Sequence, residues 1–218
     1  SPPAIIKQMS VSVVVLAAGK GTRMKSDLPK VLHRVLGKPI LAYALDTLSF
    51  IEDQYVVVGH ESDMVINSLP SSTKHILQKD QLGTGHAVAT VVKDDLFIKN
   101  KSEFTLVVPG DVPAIDIKYI ELLISEVETK SSPVGFLTAL VDNPYGYGRV
   151  IKNNEEIRIV EEKDCSDGER KINEINSGIY CFKTDFLIEN IDSLDTKNFQ
   201  REFYLTDLIG IANNQKQD

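Results

Sequence analysis

The sequence predicts an α/β fold: a Rossmann-like, doubly wound, mostly parallel sheet with a small antiparallel insertion. Three observations carry this expectation. Val11, Val13, Val14, Val15 and Leu16 form a near-continuous apolar run, which suits a strand covered on both faces. Strand-like and helix-like segments then alternate as far as Val141, the pattern of right-handed crossovers in a parallel sheet. After Tyr145 the pattern changes to short strands about a predicted Asn153-Asn154 turn, which suits an antiparallel insertion.

With 218 residues the chain can bury one sizeable core. Residues 1–10 are expected to be an N-terminal extension and 11–218 a single domain. No apolar run approaches the ~18 residues of a membrane helix, and the opening SPPAIIKQMS lacks the long apolar segment of a signal peptide, so a cytoplasmic protein is expected. Cys165 and Cys181 have no CxxC spacing and are expected to be free thiols in a reducing compartment. The formal charge of −7 argues against broad nucleic-acid binding, while a local cation cluster can still hold phosphate. His33, His60, His75 and His86 follow no metal-ligand pattern and are expected to be structural.

The first strand runs into Ala17, Ala18, Gly19 and Gly21, a turn with so little side-chain bulk that backbone N–H groups can approach an anion closely. Two familiar glycine loops fail here. Gly19-Lys20 is followed by Gly21 where a P-loop needs Ser or Thr, and Met24 stands where a dinucleotide fingerprint needs its third glycine. Beyond the glycines, Arg23 offers a planar fork for phosphate oxygens, and Lys30, approached through Pro29, a compact point charge.

From Lys38 to Ile51, apolar residues at helical spacing predict a helix with Pro39 in its first position. Tyr55 to Val58 reads as a strand ended by Gly59, and Glu61 to Leu69 as a helix stopped by Pro70. A strand over His75 to Gln78 leads to a helix that Thr84 is expected to cap, with Val88, Val91 and Val92 inward. Gln78 at that strand's end can donate and accept, as a pyrimidine edge requires. By itself, Gly83-Thr84-Gly85 suits a structural turn as well as a ligand contact.

Phe104 to Val108 is a further buried strand, ending in Pro109-Gly110-Asp111. An acid at the carboxyl end of a central parallel strand overlooks the crevice of an open sheet, and its oxygen suits Mg²⁺; a turn aspartate is the alternative. A helix follows with Asp116 as N-cap and Ile115 and Ile120 as a staple, then a strand over Val134 to Val141. Strands are also expected at Arg158 to Glu161 and Ile175 to Phe182. Glu161 and Asn176, an acceptor and an amide, could converge on sugar hydroxyls or stand at a rim. Asp164 to Arg170 is read as a mobile solvated loop, and Tyr204 to Ile209 as the opening of the last helix.

The run Leu16-Ala17-Ala18-Gly19-Lys20-Gly21-Thr22-Arg23-Met24, followed by Pro29-Lys30, resembles the opening motif of sugar-1-phosphate nucleotidyltransferases. Gly148-Arg149, Ile159-Val160-Glu161-x-Lys163-Asp164, Glu174 to Ile179 and Tyr204 to Ile209 resemble motifs of the N-acetylglucosamine-1-phosphate uridylyltransferase branch. The resemblance runs from Val11 to about Ile211. It implies the nucleotide-diphospho-sugar transferase fold and the reaction of UTP with N-acetylglucosamine 1-phosphate to give UDP-N-acetylglucosamine and pyrophosphate, for cell-envelope precursors.

It also implies roles. Leu16, Ala17, Ala18 and Gly19 would hold the nucleotide through backbone, and Gln78 and Gly83 would read uracil. Arg23, Lys30 and Asp111 would be catalytic, with Asp111 holding Mg²⁺. Thr84, Gly110, Gly148, Glu161 and Asn176 would define the sugar pocket. Full-length relatives carry a second metal ligand, an asparagine, downstream of the last motif, and an acetyltransferase domain. The sequence ends at Asp218, and Asn213 and Asn214 lie too near the motif to match, so a C-terminally short domain with weakened metal affinity is expected. The expected partners are UTP and the sugar phosphate, with no nucleic acid or membrane; a homo-oligomer is allowed. Alternatives are a sibling transferase with another sugar phosphate or nucleotide, and a nucleotide-binding module that releases no pyrophosphate. A dehydrogenase fails on the missing fingerprint.

Overall fold

The computed structural model describes residues 9–19, 28–153 and 156–215. The chain opens in the middle of the main sheet with β1 (Val11–Ala17). A short hairpin, β2 (Arg34–Val35) and β3 (Lys38–Pro39), precedes α1 (Ile40–Thr47), and β4 (Asp53–Val58), α2 (Ser62–Ile66) and β5 (Lys74–Leu77) follow. Next come α3 (Thr84–Val92), α4 (Asp95–Lys99), β6 (Phe104–Pro109), α5 (Ile117–Thr129) and β7 (Val134–Leu140). The last third holds β8 (Arg149–Asn153), β9 (Glu156–Val160), β10 (Glu174–Lys183), α6 (Thr184–Asn190) and α7 (Asp207–Gln215).

The main sheet has the order β5-β4-β1-β6-β10-β8-β9, with β7 also paired to β10. The four strands from β5 to β6 are parallel. The chain leaves β1 for β4 and β5 on one side and returns to β6 on the other, so the order reverses between β1 and β6, where open α/β sheets form their ligand crevice. Beyond β6 every pairing is antiparallel, and β8 and β9 form the expected hairpin, with Asn153 opposite Glu156.

Two apolar layers cover the sheet. On one face Val13, Val15 and Leu106 meet Leu41 and Leu45 of α1 and Ile120, Ile124 and Val127 of α5. On the other, Val14, Val57 and Val107 meet Val88 and Val91 of α3, Leu187 of α6 and Leu208 of α7. Successive β1 residues serve opposite layers, so the unbroken valine run is the signature of a two-sided strand rather than of an alternating one.

Several local expectations are corrected. Pro39 is not the first helical residue: it caps α1 from extended backbone while closing the hairpin with Arg34. The helix ends at Thr47, and Leu48 and Ile51 are buried beyond it. Asp116 does cap α5, accepting from the Lys118 N–H at 3.0 Å. The stretch Asp164 to Arg170 is tied down rather than freely solvated. Asp164 accepts from the Phe199 N–H and the Tyr204 hydroxyl, Cys165 is buried, and Glu169 accepts from Ser166 and Arg158. Cys181 is buried in the core, and burial pushes both thiols up, Cys181 to about 12. Among the described residues no helix is long and apolar enough to cross a membrane.

Leu106 is fully buried on the central strand β6. Leu106→Ala is expected to lower unfolding free energy by about 2–5 kcal/mol, measured by urea denaturation. A loss under about 1 kcal/mol would show that the two layers are not packed as described.

Candidate active site

The register of β1 against β6 sets the site. Leu16 stands opposite Pro109, and the Gly110 N–H donates to the Leu16 carbonyl at 2.8 Å. A β-carbon on Gly110 would sit 2.8 Å from that oxygen, so only glycine lets the chain turn there. The turn sets Asp111 beside Lys30, whose Nζ donates to Asp111 Oδ2 at 2.5 Å. Lys30 heads a 3₁₀ turn, Lys30–Leu32, anchored by buried Val31 and Leu32. The glycine turn, the lysine and the acid, 81 positions apart, thus share one rim. Arg23 lies outside the described residues.

A cavity of about 810 Å³ opens at this end of the sheet. Leu16, Ala17, Ala18, Gly19, Lys30 and Asp111 line it, together with Gln78, Gly83, Thr84, Glu161 and Asn176. Of the described candidates only Gly110 and Gly148 are missing from the lining. Gly110 serves the wall from behind. Gly148 backs two lining residues: its carbonyl accepts from the Asn176 N–H at 2.9 Å, and a β-carbon on it would lie 3.4 Å from Glu161 Oε1.

At one side of the cavity, Gln78 does not donate and accept freely. Its Nε2 donates to the Gly83 carbonyl at 3.2 Å and lies 3.0 Å from His86 Nδ1. Thr84 does not cap α3 either; Gly83 takes the cap position and the Thr84 hydroxyl accepts from the Leu205 N–H at 3.2 Å. The reason lies in the segment Glu202 to Leu205, whose first two residues, Glu202 and Phe203, sequence reasoning passed over. Phe203 donates to the Leu82 carbonyl and accepts from the Gly85 N–H, each at 2.8 Å. Gly83 has φ +107°, and a β-carbon there would meet the Phe203 carbonyl at 2.6 Å. The strap across them demands both glycines, and at Gly83 the positive φ demands glycine as well.

Glu161 and Asn176 both line the cavity. The Thr206 hydroxyl donates to Glu161 at 3.5 Å. The Asn176 amide donates to the Tyr180 hydroxyl at 2.5 Å and accepts from the Gly178 N–H at 3.1 Å. This is a bulge in β10, where the pairing with β7 shifts register between Asn176 and Tyr180. Gly178 at φ +80° makes the bulge, and a β-carbon there would strike Pro109 at 2.9 Å. Tyr180 and Gly178 line the cavity; Tyr180 was not singled out from sequence, and Gly178 only as part of the motif Glu174 to Ile179. Neither they nor Phe203 had a local signal, because their partners are distant in the chain.

The two ends differ electrically. Burial, then the nearby charge of Asp164, push the Glu161 carboxyl above its ordinary 4.5, with Asp207 and Glu202 adding to the shift. Burial also raises Tyr204 to about 12 and lifts Asp207. Lys30, also in the lining, brings the opposite sign of charge. Among the described residues no group of three or more His, Cys, Asp or Glu could hold a metal by itself. Asp111 still fits Mg²⁺, which needs only one or two carboxylates when substrate phosphates and water complete its shell.

Because the folded state holds the Glu161 proton more tightly than the unfolded chain, the associated stability is present below about pH 4.5 and is lost as pH rises through the elevated value. Glu161→Gln is therefore expected to raise the urea midpoint at about pH 8 and to have little effect at about pH 4. An effect equal at both pH values would contradict this environment.

The MobA-like NTP transferase domain model matches residues 13–150. The chain is 47% identical over 202 residues to the bifunctional protein GlmU of Fervidobacterium nodosum, covering 93% of this chain and 44% of that protein. It is 46% identical over 207 residues to the protein of the same name from Lactococcus lactis subsp. lactis, again covering 93% and 44%. The chain thus spans less than half the length of these curated relatives. In structure it resembles a putative glucose-1-phosphate thymidylyltransferase from Bacillus anthracis, with a TM-score of 0.73 at 22% identity over 94% of this chain and 84% of that one, a likeness of fold. The family model covers more than half of the chain, from within β1 through β6 to the start of β8: the chain belongs to the MobA-like NTP transferase domain family.

Proposed function

We propose that this domain transfers a uridylyl group from UTP to N-acetylglucosamine 1-phosphate, yielding UDP-N-acetylglucosamine and pyrophosphate. The observation that carries the reading is the Lys30–Asp111 pair at 2.5 Å, at the mouth of a cavity that also contains Gln78, Glu161 and Asn176. Identity to the GlmU proteins over 93% of the chain supports the choice of substrates.

An oxygen of the sugar phosphate attacks the α-phosphorus of UTP. The bond from that phosphorus to the bridging oxygen breaks, and pyrophosphate leaves. Such transfer depends on positioning and charge stabilisation, so no side-chain nucleophile is required. The bare turn Leu16 to Gly19 lets backbone N–H groups reach the nucleotide. Lys30, released from Asp111, pairs with phosphate oxygens of both substrates, and Arg23 steadies the departing pyrophosphate. Asp111 would hold Mg²⁺, which would supply neutralisation of phosphate charge there. Thr84, Glu161 and Asn176 receive the sugar, with Gly110 and Gly148 shaping the walls behind them. The product serves as an activated sugar for cell-envelope precursors.

The test is pyrophosphate release from a panel of nucleotides and sugar 1-phosphates, with and without Mg²⁺. UTP with N-acetylglucosamine 1-phosphate is expected to be the preferred pair. Lys30→Ala, Arg23→Ala and Asp111→Asn should each lower turnover by about 10²–10³ while the fold is kept. UTP binding without any pyrophosphate release would replace the enzyme by a nucleotide-binding module, and preference for another sugar phosphate would move the assignment to a sibling transferase.

A further inference from the structure

The Gln78 amide is held in one orientation by its own neighbours. Gln78 stands just past β5 and is only 3% exposed, yet it lines the cavity. The Gly83 carbonyl can only accept, so the atom 3.2 Å from it must be the amide nitrogen. That fixes the other contact as well. With the nitrogen 3.0 Å from His86 Nδ1, the ring nitrogen accepts and the imidazole carries its proton on Nε2. Both N–H groups are then occupied within the protein. The amide oxygen accepts no hydrogen bond among the described residues and remains for a ligand.

His86 is itself positioned. It lies in the first turn of α3, and its ring faces Phe203 at 6.3 Å with a tilt of 31°. The Phe203 backbone holds that turn through Leu82 and Gly85.

The geometry points to His86 as a positioning residue for nucleobase choice: by occupying the second N–H of Gln78 it makes that amide acceptor-only, and so selective for uracil over cytosine. This inference rests on the uridylyl-transfer reading above and deepens it. Uracil has one donor on its pairing edge, N3–H, flanked by two carbonyls. An acceptor-only amide can meet the base only there. Cytosine presents a lone pair at N3, facing the amide oxygen; its donor, the 4-amino group, stands one position along the edge, and an amide fixed by Gly83 and His86 reaches it only by giving up one of those bonds, which leaves a buried polar group unpaired. Without His86, one amide N–H is left over and can turn to the cytosine lone pair.

The experiment measures kcat and KM for UTP and CTP, each with N-acetylglucosamine 1-phosphate, in the wild-type chain, His86→Leu and His86→Asn. Leucine fills space but cannot accept; the asparagine oxygen falls near the place of Nδ1. The expected result is a fall of about tenfold in the UTP/CTP ratio of kcat/KM for His86→Leu, carried by nucleotide KM, with most of the ratio restored in His86→Asn. An unchanged ratio in His86→Leu overturns the inference. So does an equal loss for both nucleotides in both variants, which is the mark of a purely structural histidine. A wild-type chain that uses both nucleotides equally overturns it too, while leaving nucleotidyl transfer standing. A wild-type chain that neither binds nor uses UTP overturns the parent reading, and this one with it.

Discussion

Strands β1 and β6 lie side by side, run in the same direction and stop at the same level, with Leu16 opposite Pro109. From that register the glycine turn after β1 and the acid after β6 come out at one rim, whatever the loops between them do. The Gly110 N–H bond to Leu16 is the last rung of this ladder, and the absent β-carbon of Gly110 is what allows it. The Lys30–Asp111 pair follows from the same placement. With side chains 45% and 31% exposed, it belongs to the class of ion pairs worth ~0–1 kcal/mol, too little to organise a fold. The backbone positions the charges. The charges do not hold the backbone, and both can therefore be surrendered to a ligand at small energetic expense.

The wall that carries Gln78 depends on a different constraint. Gly83 and Gly85 are pressed against the backbone of Phe203, and Leu205 is tied to Thr84. Thr206, next in the strap, reaches Glu161. One continuous segment thus touches both the turn beside Gln78 and the Glu161 carboxylate. A side chain introduced at Gly83 would have to move the strap, and with it both ends of the cavity. The Tyr204-Leu205-Thr206-Asp207 motif consequently matters for the cavity without belonging to the glycine turn or to the Lys30–Asp111 pair.

The strands and the large helices were legible in sequence because their signals are local. The valine run of β1, the stripe of α5 and its Asp116 cap each need only neighbours within a turn or two. The rim was legible for a related reason: in a parallel sheet, a strand's carboxyl end locates its next residues without knowledge of loops. Other features had no such signal. Thr84 looks like a cap because Ser and Thr usually are, but its hydroxyl answers to Leu205, 121 residues away. Asp164 to Arg170 is polar enough for a solvated loop, and it is ordered by Phe199, Tyr204 and Arg158, which its own composition cannot reveal. Gly178 reads as one glycine in a strand until Pro109 is set against it. In each case a partner distant in sequence outweighs the local preference.

A net charge of −7 and the highly anionic substrates of the proposed reaction are reconciled by how the cavity divides its charge. Burial raises the Glu161 carboxyl above its ordinary range, and the nearby charges of Asp164, Asp207 and Glu202 add to the shift by repulsion. A phosphate placed there would add to that repulsion. Sugar hydroxyls, which donate to carboxylates, would relieve it. The lysine rim has the opposite preference. A sugar phosphate has one end of each kind, so in the proposed reaction the two potentials favour a single orientation in the cavity, with the phosphate towards Lys30. The acidic surplus is then part of recognition: it discourages the reversed mode, in which the attacking oxygen would face away from the α-phosphorus.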